Sequence, residues 1–119
     1  MNIIEYQKQA SRTCPSLGDE QKDLLHMTLG MQTEAAEVSD VFKKNLAYGR
    51  EIDWINIKEE IGDQMWYIAN FCNIKGWNLE DILGSNILKL KIRYPDKFTS
   101  DKAINRDLKA ERQVLENGE

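Results

Sequence analysis

Cysteine, histidine and proline are scarce in this sequence, and each shortage excludes a class of structure. The 119 residues include two cysteines, Cys14 and Cys72, without CxxC spacing, and one histidine, His26. A zinc site built from several such ligands is therefore not expected. We interpret the two cysteines as reduced thiols of a cytoplasmic protein. With only two prolines, little interrupts long regular elements.

Long hydrophobic runs and a surplus of positive charge are also lacking. The apolar runs are only a few residues long, so we predict no membrane-spanning segment. Residues 1–8 contain no continuous apolar stretch of the kind found in secretory signals. The formal net charge is −4, whereas proteins that bind nucleic-acid polymers normally carry a surplus of lysine and arginine. We therefore expect neither a membrane nor a nucleic-acid polymer as partner.

Helical periodicity runs along almost the whole chain, and no alternating strand pattern appears. Asp19 and Asp53 are predicted N-caps, Gly49 and Gly76 are predicted C-terminal stops, and Pro95 predicts the end of a helix just before it. The pattern predicts an all-α four-helix bundle, with a domain at residues 1–98 and a polar tail at 99–119 that contains a short helix near 101–116. The four predicted helices cover residues 2–12, 19–47, 53–75 and 78–94.

The third predicted helix is apolar on more than one side, which is typical of a helix at the centre of a bundle or in a subunit interface. We therefore predict a homo-oligomer, either a dimer or a tetramer. The stripe that leads to this prediction comprises Trp54, Ile57, Ile61, Met65, Ile68 and Cys72.

Two pairs of acidic residues interrupt the apolar pattern of consecutive helices. Glu34 and Glu37 are three residues apart in the second helix, and Glu60 and Asp63 have the same spacing in the third. Residues three apart share a helix face, and carboxylates in an apolar stripe are costly without a positive partner. Antiparallel packing would bring all four together, as ligands for magnesium or manganese. Alternatively they are solvated surface charge. A ferritin-like di-iron site is disfavoured because no Glu-x-x-His pair occurs.

The order of these motifs resembles the MazG-like all-α nucleotide pyrophosphohydrolases. The resemblance comprises residues 29–38, Lys43-Lys44 and residues 59–63, followed by 86–90 (NILKL) and 93–95 (RYP), with a further similarity at 104–107. The first motif departs from the family's frequent EAGE in having Ala36 in place of glycine. This departure affects no predicted ligand, but it leaves the base preference open.

The resemblance implies a function. Glu34, Glu37, Glu60 and Asp63 would coordinate Mg2+ (with Mn2+ as a substitute), and a nucleoside triphosphate would be cleaved between its α and β phosphates. Glu34 is also our candidate for the residue that holds or deprotonates the attacking water. A house-cleaning role in the nucleotide pool follows from the resemblance alone.

The triphosphate also needs positive charge. Lys89 and Arg93 are four residues apart, and Asn86 lies one turn earlier on the same helix face; arginine suits bidentate phosphate contacts. We predict that these three residues bind substrate, and we name no base-binding residue. Two alternatives remain open: a dUTP- or dCTP-specific enzyme of the same superfamily, and a non-enzymatic helical interaction module.

Overall fold

A computed structural model describes residues 1–118 and shows six α-helices and no strand within that range. The all-helical class is therefore confirmed. The number of helices needs a correction, because the tail contains two short helices where we predicted one, separated by a break at residues 105–107. The helices are α1 (Ile3–Ser11), α2 (Glu20–Tyr48), α3 (Trp54–Lys75), α4 (Leu79–Arg93), α5 (Ser100–Ile104) and α6 (Leu108–Asn117).

Local hydrogen bonds set the ends of the long helices where the sequence predicts them. The side chain of Asp19 accepts a hydrogen bond from the backbone N–H of Lys22 at the start of α2, and Asp53 caps α3 in the same way. Gly49 and Gly76 follow α2 and α3 in the left-handed conformation, with φ of 67° and 69°, which suits glycine at a helix C-terminus. These cap predictions are confirmed.

The chain divides into two compact units, Met1–Trp77 and Asn78–Glu119. The first contains α1 to α3 and the second contains α4 to α6. The arrangement of four helices in one bundle stays a prediction, as does the functional boundary that we place after residue 98. None of the helices in the described range has the length and apolar character needed to cross a membrane.

Helices α2 and α3 form the largest helix pair of the first unit, and they run antiparallel. Near the connection, the rings of Phe42 and Trp54 lie 6.2 Å apart, whereas at the far end His26 lies 6.2 Å from Tyr67. Residues late in α2 therefore contact residues early in α3, and residues early in α2 contact residues late in α3. The apolar stripe of α3 is only partly buried: its members Trp54 and Ile61 are 60% and 52% exposed.

A network of amide side chains attaches α1 to α3. Gln7 Nε2 donates to Asn73 Oδ1 at 3.0 Å and to the Trp77 carbonyl oxygen at 2.7 Å. Asn73 Nδ2 returns a bond to the Gln7 carbonyl, and the fully buried Asn70 donates to the Ala10 carbonyl. Because unsatisfied buried amides are costly, this network specifies the position of α1.

The second unit is held by contacts between α4 and α6. Its most buried residues are Leu79 and Glu111, each 2% exposed. Glu111 on α6 forms an ion pair with Arg93 at the end of α4. A buried charge must be paired to be tolerated, so this contact joins the tail to a helix that carries predicted substrate-binding residues.

Candidate metal centre

Three of the four predicted ligands come together where α2 crosses α3. Glu34, Glu60 and Asp63 each offer a carboxylate oxygen, and these oxygens all lie within 4.8 Å of one another. Glu60 is buried, Glu34 is partly buried and Asp63 is exposed. The i,i+3 spacing of Glu60 and Asp63 points both side chains at the same stretch of α2. We call these three residues the carboxylate group.

A glycine allows the two helices to approach closely beside this group. A Cβ atom on Gly30, one turn before Glu34, would lie only 2.1 Å from Cε1 of Tyr67. Tyr67 is one turn beyond Asp63. Any larger residue at position 30 would therefore displace the tyrosine ring or the helix that carries it. The close contact at Gly30 therefore lies one turn from Glu34.

The neighbours of Glu34 make its carboxyl difficult to ionise. A side-chain hydrogen bond with Glu60 raises the pKa of Glu34 to about 7, and burial acts in the same direction. The negative charges of Asp63 and Glu37 add smaller contributions. Carboxylates that share a site favour a bound proton, because it relieves the repulsion between their charges. A cation bound here would take the place of that proton.

Glu37, the fourth predicted ligand, does not lie within the carboxylate group. Its side chain is exposed and lines a surface depression together with Ser39, Asp40 and Lys43. Its charge still contributes to the raised pKa of Glu34, so the two carboxyls face a common region. The assignment of Glu37 as a metal ligand stays a prediction.

Lys43 and Lys44, which belong to the motif that resembles the MazG-like family, pair within their own helix. Their Nζ atoms lie 3.5 and 2.7 Å from the carboxylate oxygens of Asp40. These bonds, that of Lys44 above all, lower the pKa of Asp40. Neither lysine forms an ion pair with the carboxylate group in the described part of the chain.

Two neighbours of the group were not predicted. Asn56 Nδ2 donates to Glu60 Oε1 at 3.1 Å and orients that carboxylate. The hydroxyl of Tyr6, on α1, donates to the Gly62 carbonyl oxygen at 3.5 Å. Burial and the charge of Asp63 raise the pKa of Tyr6. The position of Asn56 one turn before Glu60 could have indicated this contact from the sequence. No local sequence pattern indicates that Tyr6 lies near Asp63.

His26 packs against Tyr67, which lies one turn beyond Asp63. Its ring makes an edge-to-face contact with Tyr67, and its buried Nδ1 atom has no hydrogen-bond partner among the described residues. Edge-to-face aromatic contacts stabilise packing by about 0.5–1.5 kcal/mol. The structure therefore gives His26 a packing contact.

The predicted substrate-binding residues lie on α4, in the second unit. Asn86 is exposed, Lys89 is partly buried, and Arg93 is bound by Glu111 through two hydrogen bonds of 2.9 and 3.2 Å. Glu111 raises the pKa of Arg93 further above its ordinary value. The sequence did not indicate that Arg93 has an acidic partner of its own.

The donor set of the carboxylate group fits a hard divalent cation. All three donors are carboxylate oxygens, with no imidazole or thiolate among them. Oxygen-only donor sets are typical of magnesium, manganese and calcium, whereas zinc sites usually include histidine or cysteine. Such an ion would also offset the negative charge that these side chains carry when they are ionised.

Comparisons with protein families and with known proteins each gave a match. The family profile described as the MazG nucleotide pyrophosphohydrolase domain matches residues 22–98, which include α3 and α4 and nearly all of α2. The "Gene 37 protein" of Mycobacterium phage L5 is 32% identical over 104 residues, covering 78% of this chain and 89% of the phage protein. No solved structure matches the chain significantly.

Proposed function

The chain belongs to the MazG nucleotide pyrophosphohydrolase family, and on that premise we propose that it hydrolyses nucleoside triphosphates between the α and β phosphates. The products are the nucleoside monophosphate and pyrophosphate. The observation that carries the proposal is the convergence of Glu34, Glu60 and Asp63 within the residues that the family profile matches.

We assign the carboxylate group, with Glu37 beside it, to Mg2+, for which Mn2+ is the expected substitute. When bound, the ion supplies positive charge that lowers the pKa of the attacking water and offsets charge developing on the phosphate. Asn56 would hold the Glu60 carboxylate in place as one of the residues that bind the ion. Glu34 has a second role: its carboxylate orients the attacking water or accepts its proton.

Asn86, Lys89 and Arg93 are proposed to bind the triphosphate. A lysine supplies a compact positive charge, whereas the guanidinium of arginine matches two phosphate oxygens at once. Asn86 is exposed on α4 and offers an amide that both donates and accepts hydrogen bonds. The chemistry of these three side chains and their resemblance to the family motif support the assignment.

We also propose that the protein acts as a homo-oligomer in the cytoplasm, in nucleotide-pool house-cleaning. Large apolar side chains remain exposed on the first unit, among them Leu46, Trp54 and Ile55 at 89%, 60% and 81%. Apolar surface of this kind is typical of protein interfaces. Analytical ultracentrifugation tests the assembly: a monomer at micromolar concentrations would contradict it.

Phosphorus NMR of the protein with magnesium and a panel of ribo- and deoxyribonucleoside triphosphates tests the reaction. Monophosphate and pyrophosphate signals in equal amounts are the expected result. Exclusive loss of dUTP or dCTP would identify the narrower specificity within the same superfamily. Diphosphate with orthophosphate would contradict α–β cleavage. No turnover of any nucleotide would favour the helical interaction module.

A further inference from the structure

The most buried charged residue of the chain's described part is Glu111, which lies on α6 beyond the residues that match the family profile. Its carboxylate accepts hydrogen bonds from two arginines. Arg93 contributes Nε and Nη2 at 2.9 and 3.2 Å, and Arg106 contributes Nη2 at 2.6 Å with Nε at 3.4 Å. We call these three residues the arginine clamp.

The clamp retains positive charge after pairing, because two guanidiniums share one carboxylate. The two arginines hold the pKa of Glu111 near 2, so the carboxylate is ionised throughout the physiological range. Both arginines use the Nε and Nη2 side of the guanidinium. In each guanidinium Nη1 takes no part in the bonds to Glu111 and keeps its N–H donors for a second anion. The ring of Tyr94 lies 5.8 Å from the guanidinium carbon of Arg93 and covers part of that side chain.

Stability alone explains this arrangement poorly. Buried ion pairs lose much of their Coulombic gain to desolvation, and an apolar replacement of similar volume is often as stable. A carboxylate behind an arginine has another effect: it removes rotamer freedom from the guanidinium before an anion arrives. A fixed guanidinium loses less entropy when it binds a phosphate.

We propose that Glu111 is a positioning residue that holds Arg93, with Arg106 beside it, in the orientation that binds the phosphates of the substrate. The inference rests on the phosphate-binding role of Arg93 in the proposed function. It also gives the tail a role in substrate binding, because α5 and α6 bring Arg106 and Glu111 to the end of α4. Arg106 thereby joins the residues that contact polyphosphate.

The test compares Glu111→Gln with a matched control, Glu116→Gln. Glu116 pairs with Arg112 on the same helix at 2.7 Å, but that pair is exposed. For each variant we would measure KM and kcat for a cleaved nucleotide, and the affinity for inorganic tripolyphosphate by calorimetry. Circular dichroism and the melting temperature establish that each variant is folded at the assay temperature.

We expect Glu111→Gln to raise KM and to weaken tripolyphosphate binding by about tenfold, as for a charge-assisted contact that loses its orientation, with a smaller change in kcat. Glu111→Asp should recover part of the affinity, and Glu116→Gln should behave as the wild type. A folded Glu111→Gln protein with wild-type KM and wild-type affinity for tripolyphosphate, whatever its melting temperature, would overturn the inference.

Arg106→Gln tests the same inference should Glu111→Gln not fold, because Arg106 is partly exposed and its loss leaves the pair between Arg93 and Glu111 intact. A KM raised about threefold is expected, and an unchanged KM and tripolyphosphate affinity would contradict the proposal. Tripolyphosphate also separates the two proposals. Weaker binding by the variants without cleavage of any nucleotide by the wild type would sink only the proposed hydrolysis.

Discussion

The carboxylate group and the arginine clamp place the same functional group in opposite environments. In the first, three carboxylates meet one another, and the pKa of Glu34 is raised to about 7. In the second, one carboxylate meets two guanidiniums, and the pKa of Glu111 is lowered to about 2. In the arginine clamp the partners of the carboxylate are positive side chains of the chain itself, whereas in the carboxylate group the partners are further carboxylates. Burial alone therefore does not decide the charge state; the neighbours do.

The largest expected effect is on catalysis. Asp63→Ala removes one oxygen donor from the carboxylate group and should lower kcat/KM by at least about a hundredfold, as removal of a metal ligand commonly does, while helix content stays unchanged. Glu20→Ala is the control, since Glu20 is exposed at the start of α2 and lies outside the group. Steady-state kinetics decide, and near-normal activity of Asp63→Ala would mean that the metal is bound elsewhere.

Glu37→Ala tests the predicted metal ligand that lies outside the carboxylate group. We expect a loss of turnover, because its charge faces Glu34 and the family resemblance assigns it to the metal. Kinetics at increasing magnesium concentration are the measurement. Activity equal to the wild type at low magnesium would show that three carboxylates suffice.

Gly30→Ala tests the close packing of α2 against α3 without changing any predicted metal ligand. The new methyl group would overlap the ring of Tyr67, and overpacking of this kind costs about 1–3 kcal/mol of unfolding free energy. Gly84→Ala, in α4, is the control because a Cβ there meets nothing within 4 Å; it should be neutral or stabilising by about 0.5–1 kcal/mol. Urea denaturation compares the two. Equal stability of both variants would contradict the close packing described for Gly30.

The pH dependence of stability should differ between the two sites. Glu34 has a folded-state pKa above the unfolded value of 4.5, so its contribution is fully present below pH 4.5 and is lost as the pH rises through about 7. Without metal, the melting temperature should fall across that window. Magnesium or the Glu34→Gln substitution should reduce the fall, and a slope that neither changes would exclude Glu34 as its source.

The smallest expected effect is on thermal stability at acid pH. The folded-state pKa of Glu111 lies below the unfolded value of 4.5, so its contribution is present above pH 4.5 and is lost as the pH falls towards 2. Thermal melts between pH 5 and 2 should show a shallower decline for Glu111→Gln than for the wild type. Parallel curves for the two proteins would mean that the clamp does not couple protonation to folding.

The sequence predicts features that depend on neighbours in the chain. The caps at Asp19 and Asp53 and the stop at Gly49 use hydrogen bonds or backbone conformations within one turn of the helix. The spacing of Glu60 and Asp63 places both on one helix face for the same reason. Arg93 shows the limit: its acidic partner is eighteen residues away on another helix, and no local pattern indicates it.

The sequence by itself determined where the long helices begin and end, that the class is all-α, and which acidic pairs belong together on a face. Only the tertiary structure decided that Glu37 lies outside the carboxylate group, that Tyr6 lies beside Asp63, and that the tail binds Arg93. The physical reason is the distance along the chain over which each interaction acts. Capping and periodicity act within a few residues, whereas the meeting of side chains on different helices depends on how closely those helices pack.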